Sequence, residues 1–308
     1  MVYRMTVDPT MQQIAGVTPE DLVREVRHLP SAPRVLPRLK TLLSDCNSSM
    51  LEIVDLIRLD LGIAARVLQV ANSAYYSKGA RCFTVDEAVN RVGYDQVYEL
   101  VSHAVASQVL VRPLAVYGLE ADELWKRSVA CALAAETIAL HCGQDRNVAY
   151  TNGLLHSVGM VAIEEWASRN QPTLFLRSTG FPREASESER AAFGFTQAEA
   201  GAALLCHWDF PREMSEPVRW QYAPRASAGQ AKMACLLNVA KWLRTSACDG
   251  AANAPAYPEV SQLNMLFLNP SILRGMAGLV AMRMAEISSL LEVKNPKDDS
   301  KHPFPVGS

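Results

Sequence analysis

The sequence predicts an all-α fold, and three observations support this prediction. Five segments carry a helix-start pattern in which Ser or Thr is followed three positions later by Asp or Glu, a pair that satisfies two backbone donors at a helix start. Apolar residues behind these starts recur every three or four positions, which places them on one helix face. No segment alternates polar and apolar residues over a strand's length.

The predicted helices can be placed in chain order. The start signals lie at Thr18, Ser49, Thr84, Ser186 and Thr196. Apolar spacing behind them, and between breaks that contain Pro or Gly, predicts roughly a dozen helices of ordinary length. Their ranges, some of which can merge, are 19–29, 34–44, 49–58, 60–72, 84–91, 94–111, 121–142, 146–156, 158–169, 184–193, 196–208, 211–221, 227–247 and 270–292.

Two breaks divide the chain into units. Residues 111–119 hold Pro and Gly between two long helical patterns, and residues 249–258 are rich in small residues and Pro. Both compositions are typical of loops. The predicted units are an N-terminal tail at 1–17, an N-terminal helical subdomain at 18–112, a second helical bundle at 120–248, a loop and helix at 249–292, and a flexible tail at 293–308.

Composition narrows the class of protein. The formal net charge is -2 in 308 residues, which gives no support to binding of nucleic acid or of a membrane surface. Seven cysteines without a CxxC pair favour a reducing, cytoplasmic setting over disulfides or zinc. The apolar segment 272–291 carries three charged residues, so it predicts a docking helix rather than a membrane span.

Several segments in the first three quarters of the chain resemble the landmarks of one protein family. Leu29–Pro33 resembles an opening LPxxP element, and Asp60–Ala74 is similar to a helix ending in Ala-Asn-Ser-Ala. Gly153–Gly159 and Trp208–Pro211 resemble landmarks of the second half of the same family. These segments resemble the HD-related output domain (HDOD) family; the resemblance covers about 20–225 and implies a multi-helix HD-domain-like bundle with an N-terminal helical subdomain.

The resemblance also implies a catalytic site that has been lost. Relatives in the wider HD superfamily are metal-dependent phosphohydrolases that hold cations with a His, a His-Asp pair and a later Asp. The matching positions here are Arg127, His156 with Ser157, and Lys241, while further family histidines match Gln197 and the pair Gln221 and Tyr222. One histidine cannot hold a divalent cation, because affinity requires several converging ligands. We therefore expect no metal, no cofactor and no catalysis.

The same positions leave two alternatives open. His156 lies in an apolar segment and is expected to bond Ser157 or a backbone carbonyl, as buried polar groups usually do. Arg127 and Lys241 are expected to lie at the surface or to pair with acidic residues. If both instead point into the vestigial cleft, they could bind a nucleotide-like anion.

A second group of residues follows the fourth predicted helix. Asn72 and Ser73 are residue types that often satisfy helix ends, so a structural C-cap is the simpler interpretation. Alternatively, Asn72 and Ser73 line a contact surface together with Tyr75 and Tyr76, since tyrosine is favoured at interfaces.

The resemblance implies a signalling function without catalysis. We expect a cytoplasmic regulatory module of a bacterial signalling pathway that presents a helical surface to a protein partner. A small-ligand sensor that uses the vestigial cleft is the alternative, and a residual metal-dependent phosphohydrolase is a third. No phosphate-binding glycine loop, HExxH motif or GxSxG elbow points elsewhere.

Overall fold

The described part of the chain is α-helical, as predicted. A computed structural model describes residues 14, 16–26, 35–45, 47–77, 79–106, 113–176, 182–248 and 257–291, and these contain no β-strand. The helices are α1 Pro19–Glu25, α2 Val35–Ser44, α3 Met50–Arg58, α4 Leu61–Asn72, α5 Ala74–Ser77, α6 Val85–Val92, α7 Tyr94–Ala106, α8 Ala121–Cys142, α9 Arg146–Leu155, α10 Val158–Asn170, α11 Pro182–Phe193, α12 Gln197–His207, α13 Arg212–Arg219, α14 Ala231–Cys248, α15 Val260–Met265 and α16 Pro270–Leu291, with short 3-10 helices at Ala115–Tyr117 and Pro224–Ala226.

Helix starts follow the side-chain chemistry of the sequence. Thr18, Ser49 and Thr196 form the predicted reciprocal capping boxes. Thr84 also caps its helix, by accepting a hydrogen bond from the Glu87 amide. The predicted start at Ser186 is wrong, because α11 already begins at Pro182, where the fixed φ of proline suits the first helical turn.

The N-terminal subdomain consists of α2 to α7, which pack on one another. The prediction that it starts at residue 18 is wrong. Helix α1 packs on α10 and α12 of the second bundle, and the Ile14 amide donates to the Ala192 carbonyl at 2.8 Å. Leu22 and Val23 are buried there, and an ion pair of 3.2 Å joins Glu25 to Arg169. Residues 1–13 of the predicted N-terminal tail at 1–17, and the whole predicted tail at 293–308, lie outside the described residues.

The turn between α3 and α4 anchors the subdomain on the second bundle. Two backbone carbonyls at this turn accept hydrogen bonds from aromatic side chains of α8 and α9. Trp125 donates to the Leu59 carbonyl at 3.0 Å, and the Tyr150 hydroxyl donates to the Arg58 carbonyl at 3.1 Å. The Arg58 guanidinium also lies 4.8 Å from the centre of the Tyr150 ring. This cation–π contact helps to hold the two units together.

Helix α16 completes the second bundle. Its buried residues Leu273, Met276, Val280 and Met284 follow a three- and four-residue spacing, and the helix packs against α8 and α14. Arg283 pairs with Glu136 of α8 at 2.8 Å. Across the described ranges, none of the helices combines the length and the apolar character that crossing a membrane requires.

Candidate functional site

Two glycines bring the helices of the site together. A Cβ atom at Gly153 would lie 2.7 Å from the backbone of Cys131 and Ala132, so glycine lets α9 approach α8 closely. A Cβ at Gly159 would overlap the Gln197 carbonyl, so α10 touches the start of α12. The turn between these glycines therefore places His156 in the interior, between helices that meet backbone to backbone.

His156 is a buried, neutral histidine. Its Nδ1 lies 2.7 Å from the Gly153 carbonyl, and because a carbonyl only accepts, Nδ1 carries the proton. Burial holds the pKa of His156 well below its usual range, and the positive charges of Arg244 and Lys241 lower it further. The predicted bond to a backbone carbonyl is confirmed.

Lys241 lies at the centre of the site. Its side chain is 3% exposed, its Nζ donates to Gln221 Oε1 at 2.8 Å, and Nζ lies 3.5 Å from the centre of the Tyr222 ring. Burial is the main cause that holds the pKa of Lys241 well below its usual range, with Arg244 adding to the effect. The expectation that Lys241 lies at the surface or pairs with an acidic residue is therefore wrong.

Gln221 connects Lys241 to His156. The Gln221 side-chain nitrogen donates to the His156 carbonyl at 2.9 Å while its oxygen accepts from Lys241. On the other side of Lys241, Gln197 donates to the Tyr222 hydroxyl at 2.9 Å. Five of the residues that sequence reasoning selected thus form one connected set.

A buried carboxyl group adjoins this set and was missed by sequence reasoning. Glu189 accepts hydrogen bonds from the backbone amide of Gln197 at 2.8 Å and from the Tyr117 hydroxyl at 2.9 Å. Burial raises the pKa of Glu189 to about 7, although these hydrogen bonds and the nearby Lys241 oppose the shift. The sequence signal was misleading, because Glu189 completed an apparent capping box with Ser186.

The remaining selected residues lie beside the set. Ser157 Oγ is 3.1 Å from Ser128 Oγ, and both side chains are buried. Arg127 precedes Ser128 on α8 and is half-buried. Its charge also lowers the pKa of His156, so it lies in the same electrostatic environment.

These residues do not fit a divalent cation. In the described ranges, no three or more His, Cys, Asp or Glu side chains gather as a metal-binding group. Besides the His156 imidazole and the Glu189 carboxyl group, which are already hydrogen-bonded, the site offers two amides, a phenol and the amine of Lys241. When charged, Lys241 repels a cation; when neutral, it offers one nitrogen among weak ligands.

The predicted interaction surface is only partly exposed. Asn72 is 2% exposed because its amide clamps Cys82, donating to the carbonyl at 2.9 Å and accepting from the amide at 2.8 Å. Its assignment to a contact surface is therefore wrong. Ser73 is the C-cap of α4 and donates to the Val70 carbonyl. Tyr76 is half-buried, whereas Tyr75 is 82% exposed.

The comparisons with known proteins give a family and a fold. The model of the HDOD domain matches residues 29–224. An uncharacterized protein of Treponema pallidum (strain Nichols) is 25% identical over 202 residues, which are 63% of this chain but only 37% of that relative's length.

Two solved structures share the architecture. The MmoQ response regulator of Methylococcus capsulatus str. Bath has a TM-score of 0.67 at 19% identity, covering 82% of this chain and 99% of its own. A virulence factor of Campylobacter jejuni subsp. jejuni has a TM-score of 0.65 at 18% identity, covering 88% and 98%. At such identities the likeness shows the fold alone. Since the family model matches well over half of the sequence, the chain belongs to the HDOD domain family.

Proposed function

We propose that this chain is a non-catalytic regulatory module of a bacterial signalling system, located in the cytoplasm, that acts by binding a protein partner. Its membership of the HDOD family and the response-regulator name of a structural neighbour support the signalling role. The observation that carries the non-catalytic part is the position of Lys241. Its Nζ occupies the middle of the cluster in which a phosphohydrolase would gather metal ligands.

The hydrogen bonds around Lys241 support the same proposal. Gln221 uses its oxygen for Lys241 and its nitrogen for the His156 carbonyl, and the Tyr222 face is covered by the amine. A catalytic metal needs at least one open position for water or substrate. Here the Lys241 amine, the Gln221 side chain and the His156 carbonyl satisfy one another, as polar groups do in a structural core.

Metal content and phosphodiester turnover test the absence of catalysis. Purified protein incubated with Mn²⁺, Mg²⁺ or Fe²⁺ is expected to retain no stoichiometric metal. Hydrolysis of bis(p-nitrophenyl) phosphate is expected to stay at the rate of the metal-only blank. Metal-dependent turnover that is lost in His156→Ala, but kept in the exposed-histidine control His141→Ala, would contradict the proposal.

Site-specific photocrosslinking tests the protein partner. A photoreactive phenylalanine analogue at Tyr75, the exposed aromatic residue after α4, is expected to give one discrete adduct in cells. The same analogue at Phe175, an exposed aromatic residue on the second bundle, is the matched control. Excess wild-type chain should compete the adduct away, and Tyr75→Asp chain should not. Equal adducts at both sites, or none at Tyr75, would count against this surface.

One observation favours a small-ligand sensor as the second candidate. Gln197 Oε1 is buried and has no hydrogen-bond partner among the described residues, and positive charge surrounds the neighbouring His156. A nucleotide that donates to Gln197 and presents phosphate to this charge would satisfy both features. A saturable thermal shift with a nucleotide, lost in Gln197→Ala and in Arg127→Ala, would favour the sensor; no shift favours partner binding alone.

A further inference from the structure

Helix α14 carries a second buried cation, Arg244, which sequence reasoning missed. Arg244 is 6% exposed and follows Lys241 by three residues, so the two side chains lie on one face of the helix. Helix α14 packs against α8 and α9. Arg244 lies beyond residues 29–224, which the family model matches, so no landmark of the family pointed to it.

The charge of Arg244 cannot be removed by loss of a proton. Burial is the main cause that lowers the pKa of Lys241 and the pKa of His156, so these two side chains can avoid a buried charge by becoming neutral. A guanidinium, in contrast, stays protonated in proteins. Arg244 is therefore the permanent positive charge of the site, and a buried charge is costly unless an opposite charge accompanies it.

The described residues do little to balance this charge. Arg244 Nη2 donates to the Thr245 hydroxyl at 3.1 Å, which is its one side-chain hydrogen bond within the described ranges, and it forms no ion pair there. The buried carboxyl group of Glu189 already accepts from the Gln197 backbone amide and the Tyr117 hydroxyl. Most of the five N–H donors of the guanidinium thus remain for a ligand.

His156 supplies an acceptor close to these donors. Its Nδ1 donates to the Gly153 carbonyl, so its Nε2 carries a lone pair and no proton. Burial lowers the pKa of His156 most, and of the neighbouring charges Arg244 has the largest effect. Among the described residues, the fully enclosed side-chain atoms without a hydrogen-bond partner are Asn152 Oδ1 and Gln197 Oε1. The unpartnered nitrogens of Arg244 and His156 therefore touch accessible space.

A cationic donor beside a neutral acceptor favours an oxyanion that carries a proton. The oxygens of a phosphate group can accept from the arginine fork, while its hydroxyl can donate to His156 Nε2. Sulfate has no proton to donate near neutral pH and would set a negative oxygen against that lone pair. Because Arg244 and His156 are only 6% and 4% exposed, the group that reaches them must be small, as a phosphate group is.

We propose that Arg244 and His156 form a binding site for a protonated phosphate group, either free or at the end of a phosphate monoester. This site rests on the small-ligand alternative given above and makes Arg244 its anion-binding residue. Its failure is distinguishable from failure of the protein-partner proposal, because the crosslink expected at Tyr75 does not require a bound anion.

Isothermal titration calorimetry of the full chain tests the ligand at about pH 6, where a large share of a phosphate monoester carries a proton. We expect inorganic phosphate to bind at one site. Sulfate should bind at least about 100-fold more weakly, because a site that pairs with a hydroxyl rejects an analogue without one. Binding of adenosine monophosphate as well would identify monoesters as ligands, and binding of phosphate alone would identify the free ion. No binding of either, or equal binding of sulfate, would overturn the proposal.

The substitution Arg244→Met tests the residue, and Arg274→Met, at an exposed arginine of α16, is the matched control. Arg244→Met should weaken phosphate binding at least about 30-fold, whereas the control should not change it. Without phosphate, Arg244→Met should unfold at the same temperature as wild type or higher, because it removes a buried charge that lacks a counterion. Unchanged phosphate binding, or strong destabilisation without phosphate, would show that Arg244 is a structural residue instead.

Discussion

Glu189 is a carboxyl group without solvent contact, held between a tyrosine hydroxyl and a backbone amide. With a pKa raised to about 7 by burial, its protonated form is well populated near neutral pH. A protonated Glu189 can donate to the Tyr117 oxygen while its carbonyl oxygen accepts from Gln197. Both hydrogen bonds of Glu189 are therefore kept when the group is protonated. In the bond to Tyr117, the donor becomes Glu189 instead of the tyrosine hydroxyl.

This carboxyl group links folding stability to pH. Its pKa in the folded chain, about 7, lies above the ordinary value of 4.5. Between these values the folded chain holds a proton that the unfolded chain has lost, so the free energy of unfolding falls as pH rises, by on the order of 3 kcal/mol. Glu189→Gln, which mimics the protonated acid, should remove this fall.

Urea denaturation between pH 4.5 and pH 8 measures this effect. The difference in unfolding free energy between Glu189→Gln and wild type should grow in favour of the variant as pH rises. Glu20→Gln, at an exposed carboxylate of α1, is the control. A difference that is independent of pH would show that the Glu189 proton is not coupled to folding.

The residues of the site could be predicted better than their contacts. The family resemblance selected Gln197, Gln221, Tyr222 and Lys241, which the structure brings together. Burial of Lys241 could not be predicted, because Asn238, Lys241 and Thr245 recur every three or four residues, which is the spacing of a polar, solvent-facing side of a helix. Its hydrogen-bond partner could not be predicted either, since Gln221 lies on a different element and many polar groups compete for one amine.

Close helix pairs at Gly153, Gly159 and Gly201 set the geometry of the second bundle. The nearest atoms to a Cβ at Gly159 or Gly153 are backbone atoms, which cannot move without displacing a helix. At Gly201 the nearest atoms lie at 3.1 to 3.3 Å and include side-chain methyl groups of Val158 and Val218. The three glycines therefore differ in how far the surrounding atoms could move to make room for a methyl group.

Alanine at these glycines should destabilise the chain in a fixed order. Gly159→Ala is expected to cost about 3 kcal/mol or more, Gly153→Ala somewhat less, and Gly201→Ala about 1 kcal/mol, because overpacking against backbone relaxes least. Thermal or urea unfolding measures the order. Equal losses at Gly159 and Gly201 would mean that α10 and α12 do not meet as closely as the structure shows.

Helices with a capping residue and a long apolar period were predicted almost to the residue. The predicted range 121–142 coincides with α8, and 60–72 differs from α4 by one residue. Helices α5 and α15 were missed, because four and six residues are too few to display a period. The start of α11 was misplaced because an internal Ser and Glu imitated a cap.

At the scale of the whole molecule, the second bundle is discontinuous in sequence. It takes α1 from the start of the chain and α8 to α16 from the rest, while α2 to α7 form the intervening subdomain. Sequence reasoning placed α1 with its neighbours in the chain. The apolar face of Leu22, Val23 and Val26 has the helical period whichever bundle it meets, so periodicity could not reveal its true partner.

A matched pair of substitutions distinguishes the two units. Leu22 and Leu39 are both fully buried, the first in α1 and the second in α2. Leu22→Ala and Leu39→Ala should each cost about 2 to 5 kcal/mol. Hydrogen exchange should report the Leu22→Ala loss chiefly in α10 and α12, and the Leu39→Ala loss in α3 and α7. Loss of protection in α3 and α7 on Leu22→Ala would instead show that α1 belongs to the N-terminal subdomain.

The discontinuity of the second bundle has a consequence during biosynthesis. Helix α1 leaves the ribosome well before its partner α12, which ends at His207. At ordinary elongation rates, about 10 to 40 seconds separate their emergence. Throughout that delay Leu22 and Val23 have no docking site, so we expect the nascent α1 to be a substrate for a ribosome-associated chaperone. In a circular permutant that carries α1 after α16, α12 is synthesised before α1, so α1 finds its docking site as soon as it leaves the ribosome.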